Sequence, residues 1–361
     1  MIQRIYNFSA GPAILPFEVL EKAQAELLSL QGSGMSVMEI SHRSKTFEKI
    51  NHDAQRGIRD LLGLPENYQI LFMQGGATMQ FSLVPMNFLP KNGSADYIVT
   101  GAWGQKAVRE AEHYGRVNTI FSGEKSGFKS IPTQSELKFN ESSAYLHYTS
   151  NETIDGVEFQ ADLDAGQIPV ICDASSNILS KPIDVTKYSM IYAGAQKNIG
   201  PSGVTVIIAR DDLLEQSEEN PHPIFDYRAY AEHDSLLNTP NTWGIYLINL
   251  VCQWLREKGG LRQMQIENET KAKILYDALD ASDFYRGHAE KNARSLMNVT
   301  FRLPSEELEQ KFCADADKIG MSGLKGHRSV GGIRASIYNA FPREGVEKLV
   351  EFMSEFERKN R

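Results

Sequence analysis

Lys197 stands in GAQKNIGPSG, residues 194–203, among small residues that include three glycines and a proline. An amine on so stiff a turn can hold a phosphate, anchor a loop or bond covalently to a carbonyl. Asp173 precedes it by 24 residues and directly follows the apolar run PVIC. A carboxylate placed there needs a partner, either the start of the next helix or a buried cation. Trp103 follows DYIVTG, where an indole serves as core or as a platform for a planar ring. Gly75 and Gly76 follow YQILFM and open a helical stretch. They make a plain turn, or they let a phosphate approach the free N–H groups of a helix start. Two His-Arg dipeptides, His42-Arg43 in EISHRS and His327-Arg328 in KGHRSVGG, read singly as solvated surface pairs and together as an anion pocket.

All four of the first group sit at the ends of strand-like runs. YQILFM (68–73), ADYIVTG (95–101), RVNTIFSG (116–123), SAYLHYT (143–149), PVICDAS (169–175) and SMIYAGA (189–195) are short, β-branched and aromatic. Helical patterns alternate with them, GGATMQFSLVPMNFL and WGQKAVREAEHYG first. This rhythm predicts a largely parallel sheet covered on both faces, with ligands beyond the carboxyl ends of its strands. NTWGIYLINLVCQWLREKGG (241–260) predicts a long helix stopped by Gly-Gly, near which a domain boundary is expected. ENETKAKILYDALDAS, SEELEQKFCADADKIG and REGVEKLVEFMSEFERKN predict further helices. With the strand-like RSLMNVTFRL and GGIRASIYNA they suggest a smaller α+β domain.

The 361 residues, 41% hydrophobic with 17 Phe and 14 Tyr, suffice for a sizeable core. A formal charge of −8 argues against a nucleic-acid binder but leaves local basic pockets open. Cys172, Cys252 and Cys313 show no CxxC spacing, so neither a disulfide framework nor a metal site is expected. MIQRIYNFSAGP has no apolar core of a secretory signal and no run nears 18 apolar residues, so a cytoplasmic setting is expected.

Pyridoxal phosphate is the ligand that uses a phosphate cup, a flat stacking group, a carboxylate and a lysine together. Its aldehyde takes the lysine amine, and its ring nitrogen is kept protonated by the carboxylate so that the ring can accept carbanion electrons. Eight segments carry a resemblance as well: NFSAGPAILP, GGATMQF, GAWG, SNETIDGVEF, CDASSNILS, YAGAQKNIGPSG, NTPNTWGIYL and GHRSVGGIRASIYNAFP. They run in family order from Asn7 to Pro342 and resemble the phosphoserine aminotransferase family, fold-type-I pyridoxal phosphate enzymes related to the class V aminotransferases.

The resemblance implies an α/β fold with a large domain, residues 16–260, built on a mostly parallel seven-stranded sheet covered by helices. It implies a smaller α+β domain from residues 1–15 and 261–361. By position it assigns Lys197 the covalent bond to the cofactor, Asp173 the ring nitrogen, Trp103 the ring face and Thr153 the phenolic oxygen side. Gly76, Ala77 and Gln196 would hold the cofactor phosphate, with Asn238 and Thr239 reaching it from the neighbouring subunit of a homodimer. Arg334 would clamp the substrate α-carboxylate, and His42, Arg43, His327 and Arg328 would receive the substrate phosphate. The implied reaction is reversible transamination between glutamate and 3-phosphohydroxypyruvate, giving O-phospho-L-serine and 2-oxoglutarate in L-serine biosynthesis. Action on a phosphorylated hydroxythreonine in pyridoxine biosynthesis is a second implication.

Some members of the family carry an arginine here, as GGGRGQF, whereas this chain reads GGATMQF. That puts more of the phosphate pocket on Arg43, His327 and Arg328. A cysteine desulfurase-like reading would need a loop thiolate and a histidine before the lysine, and here Gln196 precedes it. A non-catalytic phosphate-ligand binder leaves Asp173 and Lys197 together unexplained, and a nicotinamide enzyme lacks GxGxxG after an early strand.

Overall fold

In the computed structural model the chain is described over residues 4–217, 222–328 and 330–361; residues 1–3 of the expected small domain lie outside that range. Seven strands form the central sheet: Tyr68–Gln74, Ser94–Val99, Arg116–Ser122, Leu146–Thr149, Val170–Asp173, Met190–Gly194 and Val204–Arg210. Six correspond to the runs read from the sequence. The seventh, VTVIIAR, is an apolar run that the sequence reading passed over, and it is the one antiparallel member. It lies between Tyr68–Gln74 and Met190–Gly194, so the other six strands all point the same way.

Successive side chains of a strand leave opposite faces, and here both faces are buried. Ile70, Phe72, Ile98, Leu146, Tyr148, Val170 and Ile191 join one core with the helices Lys45–Leu62 and Thr242–Glu257. Leu71, Met73, Tyr97, Tyr145, Ile171 and Tyr192 join the other, with Ala77–Phe88 and Ala102–Ala111. That explains the near-continuous apolar runs, which a sheet wet on one side would not show. Gly57 marks where two of the covering helices approach closest, since a Cβ there would lie 2.7 Å from Cys252 Cβ. The ~1–3 kcal/mol of overpacking outweighs the ~1 kcal/mol of helix propensity an alanine would add, so glycine is favoured.

The Thr242–Glu257 helix stops at Lys258-Gly259, with Gly259 at φ +95° as the terminal Gly-Gly predicts. Gly260–Asp280 then leads to a three-stranded antiparallel sheet, in the order Arg286–Gly287, Asn298–Arg302, Ile333–Ser336. The helices Glu306–Lys318 and Arg343–Asn360 pack on it through Phe301, Phe312, Phe341 and Phe356. Phe8 and Ile14 join this same core, and Tyr6–Asn7 pairs in parallel with Met321–Ser322, so the N-terminal segment packs with the C-terminal elements. No described helix is long and apolar enough to cross a membrane.

Candidate active site

The carboxyl ends of the parallel strands converge on a cavity of about 260 Å³, lined among others by Gly76, Ala77, Thr78, Trp103, Thr153, Asp173, Gln196, Lys197, His327 and Arg334. The large sheet delivers Gly76, Trp103 and Lys197 from the segments directly after its strands and Asp173 from a strand's last position, where side chains leave the packed sheet.

Lys197 is half-buried on the turn after Met190–Gly194. Its amine donates to Thr153 Oγ1 at 2.6 Å and to Ser176 Oγ at 3.0 Å, and lies 5.4 Å from the centre of the Trp103 ring. Burial lowers its pKa to about 8, against the pull of Asp173 and Glu152, with Arg334 adding to the lowering. Asp173 is buried at the last position of its strand. Burial pushes its carboxyl up, while the Lys197 charge and the Ser175 bonds hold it down. Oδ1 accepts from Ser175 N at 2.9 Å and Ser175 Oγ at 2.6 Å, and Gly194 N donates to that same hydroxyl at 3.1 Å. Ser175 therefore ties the carboxylate to the strand that carries the lysine.

Trp103 is placed by two carboxylates. Glu152 accepts from Trp103 N at 3.0 Å and Gly104 N at 2.7 Å, and Asp155 accepts from Ala102 N at 3.1 Å. Together they cap the Ala102–Ala111 helix, whose N-cap Gly101 has no side chain to do so. Burial, reinforced by the Asp155 charge, pushes Glu152 up to about 8; the helix N–H bonds oppose this. Burial likewise takes Asp155 to about 6. A Cβ on Gly101 would come within 2.6 Å of both carboxylate side chains, so the glycine is required by their closeness.

The Ala77–Phe88 helix also starts from a glycine, Gly76, without a side-chain cap, so its first N–H groups are open to an anion. Three buried atoms on the cavity's own side chains, Trp103 Nε1, Gln196 Oε1 and Arg334 Nε, have no hydrogen-bond partner. Unpartnered polar atoms are costly, and their convergence on one cavity marks a polar ligand's place. An uncapped helix start, an amine near neutrality, a buried carboxylate and a half-buried indole together fit pyridoxal phosphate.

The remaining sequence-derived residues divide. Arg334 lines the cavity from the strand Ile333–Ser336, and burial lowers its pKa. His327 lines it too, its pKa lowered by burial and by Arg334. Arg328, the next residue, lines a separate cavity with Glu306 and Asp317. His42 and Arg43 precede the Lys45–Leu62 helix, 3.4 Å apart, and do not line the cavity. Nor do Asn238 and Thr239, although Thr239 O accepts from Gln74 Nε2, beside the Gly75-Gly76 turn. Glu152, Asp155, Ser175 and Ser176 were not singled out in the sequence. The NETID and DASS segments that hold them were read for Thr153 and Asp173 alone.

The cysteines carry no nucleophile. Burial pushes Cys172 and Cys252 up to about 12 and Cys313 to about 11, so none is a thiolate at neutral pH. Among the described residues no three His, Cys, Asp or Glu side chains are grouped to hold a metal ion.

Known proteins resemble this chain over nearly its whole length. The aminotransferase class-V family model matches residues 5–349. A phosphoserine aminotransferase from Laribacter hongkongensis is 54% identical over 357 residues, covering 99% of each chain. The crystal structure of a phosphoserine aminotransferase from Bacillus circulans subsp. alkalophilus superposes with a TM-score of 0.97 at 49% identity, covering 99% of each chain. A pyridoxal phosphate-bound phosphoserine aminotransferase from Trichomonas vaginalis superposes with a TM-score of 0.91 at 40% identity, over 97% of this chain and 100% of that one. This chain belongs to the class V aminotransferases, within the phosphoserine aminotransferase family, and its cofactor is pyridoxal phosphate.

Proposed function

We propose that the chain catalyses reversible transamination between glutamate and 3-phosphohydroxypyruvate, giving O-phospho-L-serine and 2-oxoglutarate in L-serine biosynthesis. The observation that carries this reading is a lysine amine of depressed pKa, flanked by a buried carboxylate and facing Arg334 and His327 across one cavity. When bound, pyridoxal phosphate supplies an aldehyde for amines and a conjugated ring that takes up the electron pair left on the substrate α-carbon. Lys197 Nζ holds and moves the proton between that carbon and the cofactor, as base and then acid. Thr153 and Ser176, its hydrogen-bond partners, aim the amine. Asp173 would hold the proton on the cofactor's ring nitrogen, and Trp103 would offer its indole to the ring.

The helix start at Gly76 and Ala77, with Gln196, receives the cofactor phosphate. Arg334 takes the α-carboxylate as a fork, and His327 takes the substrate phosphate. Asn238, Thr239, His42 and Arg43 do not line their own chain's cavity, which supports a homodimer in which they complete the neighbouring copy's site. The family resemblance also gives Arg328 to the phosphate pocket, although in this chain it lines the neighbouring cavity. The sheet and its helices, residues 16–260, form the cofactor domain; residues 1–15 and 261–361 form the smaller one. The setting is the cytoplasm, and the pocket's chemistry also suits a phosphorylated hydroxythreonine substrate.

Steady-state assays with glutamate as donor test the substrate. We expect kcat/KM for 3-phosphohydroxypyruvate to exceed that for 3-hydroxypyruvate by at least about 10³-fold, since a site built for a dianion leaves buried polar groups unpaired without it. Comparable values would sink the assignment. Co-expression of Lys197→Ala subunits with Asn238→Ala/Thr239→Ala subunits tests the shared site. Half of each mixed dimer then regains an intact site, so about a quarter of native activity is expected from randomly paired chains. Activity no greater than the mean of the two parents would refute site sharing.

A further inference from the structure

His327 reaches the cavity from a loop whose described residues, 325–328 and 330–332, return on themselves. Gly326 N donates to Gly332 O at 2.8 Å, and the N–H groups of Val330 and Gly331 donate to His327 O at 2.9 and 2.8 Å. Those bonds shape the loop. Its first residue, Lys325, bridges to Ile333, and two side chains hold its returning arm. Glu309, on the Glu306–Lys318 helix and only 6% exposed, accepts from Gly332 N at 3.1 Å through Oε2. Its other oxygen accepts from Arg302 Nε at 2.6 Å and Leu303 N at 3.3 Å. Arg302, at the end of Asn298–Arg302, passes Nη1 on to Val330 O at 2.9 Å.

The returning arm lies flat on this pair. Gly332 has φ +73°, and a Cβ there would stand 2.7 Å from Arg302 Cδ. Behind the loop is a cavity of about 660 Å³, lined by Cys313, Asp317, Lys325 and Arg328. The loop thus borders open space, and Val330 and Gly332 are where Arg302 and Glu309 grip it. A buried carboxylate that loses its guanidinium becomes costly, and one that loses its charge releases its N–H donors, so the grip needs both members.

We propose that Glu309 and Arg302 are positioning residues that set the discrimination between phosphorylated and unphosphorylated keto acids, by holding the loop so that His327 faces the cavity. Neither lines the cavity itself. The inference rests on the reading of His327 as a phosphate ligand. It separates the loop from the proton-transfer machinery: Lys197, Asp173 and Trp103 stand at the ends of the large sheet's strands, whereas this pair bonds to Leu303, Val330 and Gly332.

Glu309→Gln, Arg302→Gln, Arg302→Lys and His327→Ala holoenzymes test it. For each, kcat/KM is measured with 3-phosphohydroxypyruvate and with 3-hydroxypyruvate, and the glutamate half-reaction is followed in a single turnover. In the Gln variants the ratio of the two kcat/KM values falls about tenfold to a hundredfold, through KM for the phosphorylated acid, because a misplacement of about 1 Å has that scale of effect. The glutamate half-reaction stays within about twofold, which a general loss of folding would not allow. Arg302→Lys, at a side chain one-third exposed and keeping its charge, folds and falls between. If the ratio is unchanged in the Glu309 and Arg302 variants while His327→Ala collapses it, the proposal is overturned. If His327→Ala also leaves the ratio intact, the phosphate reading of the loop has failed, and this inference with it.

Discussion

Lys197→Ala lowers transamination by about 10⁴-fold or more, because covalent capture and proton transfer are both lost from one atom. Among the described residues that line the cavity Lys197 carries the one amine, and Lys106, its amine 4.3 Å from the centre of the Trp103 ring, is outside that lining. The measurement is glutamate turnover together with the visible absorbance of the purified protein, which a variant without the amine does not develop. A variant active within tenfold of the native enzyme would remove Lys197 from the mechanism. The native amine carries a pH signature as well. Burial disfavours the ammonium and brings its pKa to about 8, so the neutral, attacking form is scarce below that pH and dominant above it. Capture of added cofactor by apoenzyme therefore quickens about tenfold per pH unit up to near pH 8 and then levels off. An exposed lysine would keep quickening beyond pH 10.

Asp173→Asn is expected to lower kcat by about 10²–10³-fold with little change in KM, the scale seen when a preorganised electrostatic partner is removed. The amide keeps the shape of the side chain and can still accept from Ser175, so the loss is one of charge. The same variant also acts on the lysine. Asp173 is the foremost group raising the Lys197 pKa against burial, so its neutralisation moves the levelling-off of cofactor capture below pH 8. A kcat within about fivefold of native, or a levelling-off displaced to higher pH, would contradict the role given to Asp173.

Most of the strands were legible because they are buried on both faces and therefore read as short apolar runs between turns; Arg116–Ser122, exposed or half-buried throughout, was legible from its β-branched and aromatic residues. Lys197, Asp173, Trp103 and the Gly75-Gly76 turn were legible because they interrupt such runs at the end where a parallel sheet presents ligands. Val204–Arg210 has the same composition but lies just past the glycine-rich turn, and was not separated from it. The helices Phe17–Glu26 and Lys45–Leu62 were not read from the sequence at all. Glu152 and Asp155 were out of reach for a different reason: they serve a helix some 50 residues earlier in the chain, a pairing set by the strand order. The dipeptide His327-Arg328 shows the opposite limit. Neighbours on a tight turn diverge, and one faces the site while the other lines a separate cavity.

The antiparallel strand Val204–Arg210 has a consequence for how the protein is made. Tyr68–Gln74 is an edge strand bonded to no other member of the sheet. About 130 residues separate the two, so a chain growing at roughly 5–20 residues per second leaves the first strand unpaired for on the order of ten seconds. During that time Ile70, Leu71, Phe72 and Met73 form a bare apolar strand, the kind of segment that chaperones cover. The same closure docks the Gly75-Gly76 turn and completes the hairpin that carries Lys197. Synthesis thus fixes the Gly75-Gly76 turn and the Lys197 hairpin by one pairing event, and a nascent chain has neither fixed before Arg210 leaves the ribosome.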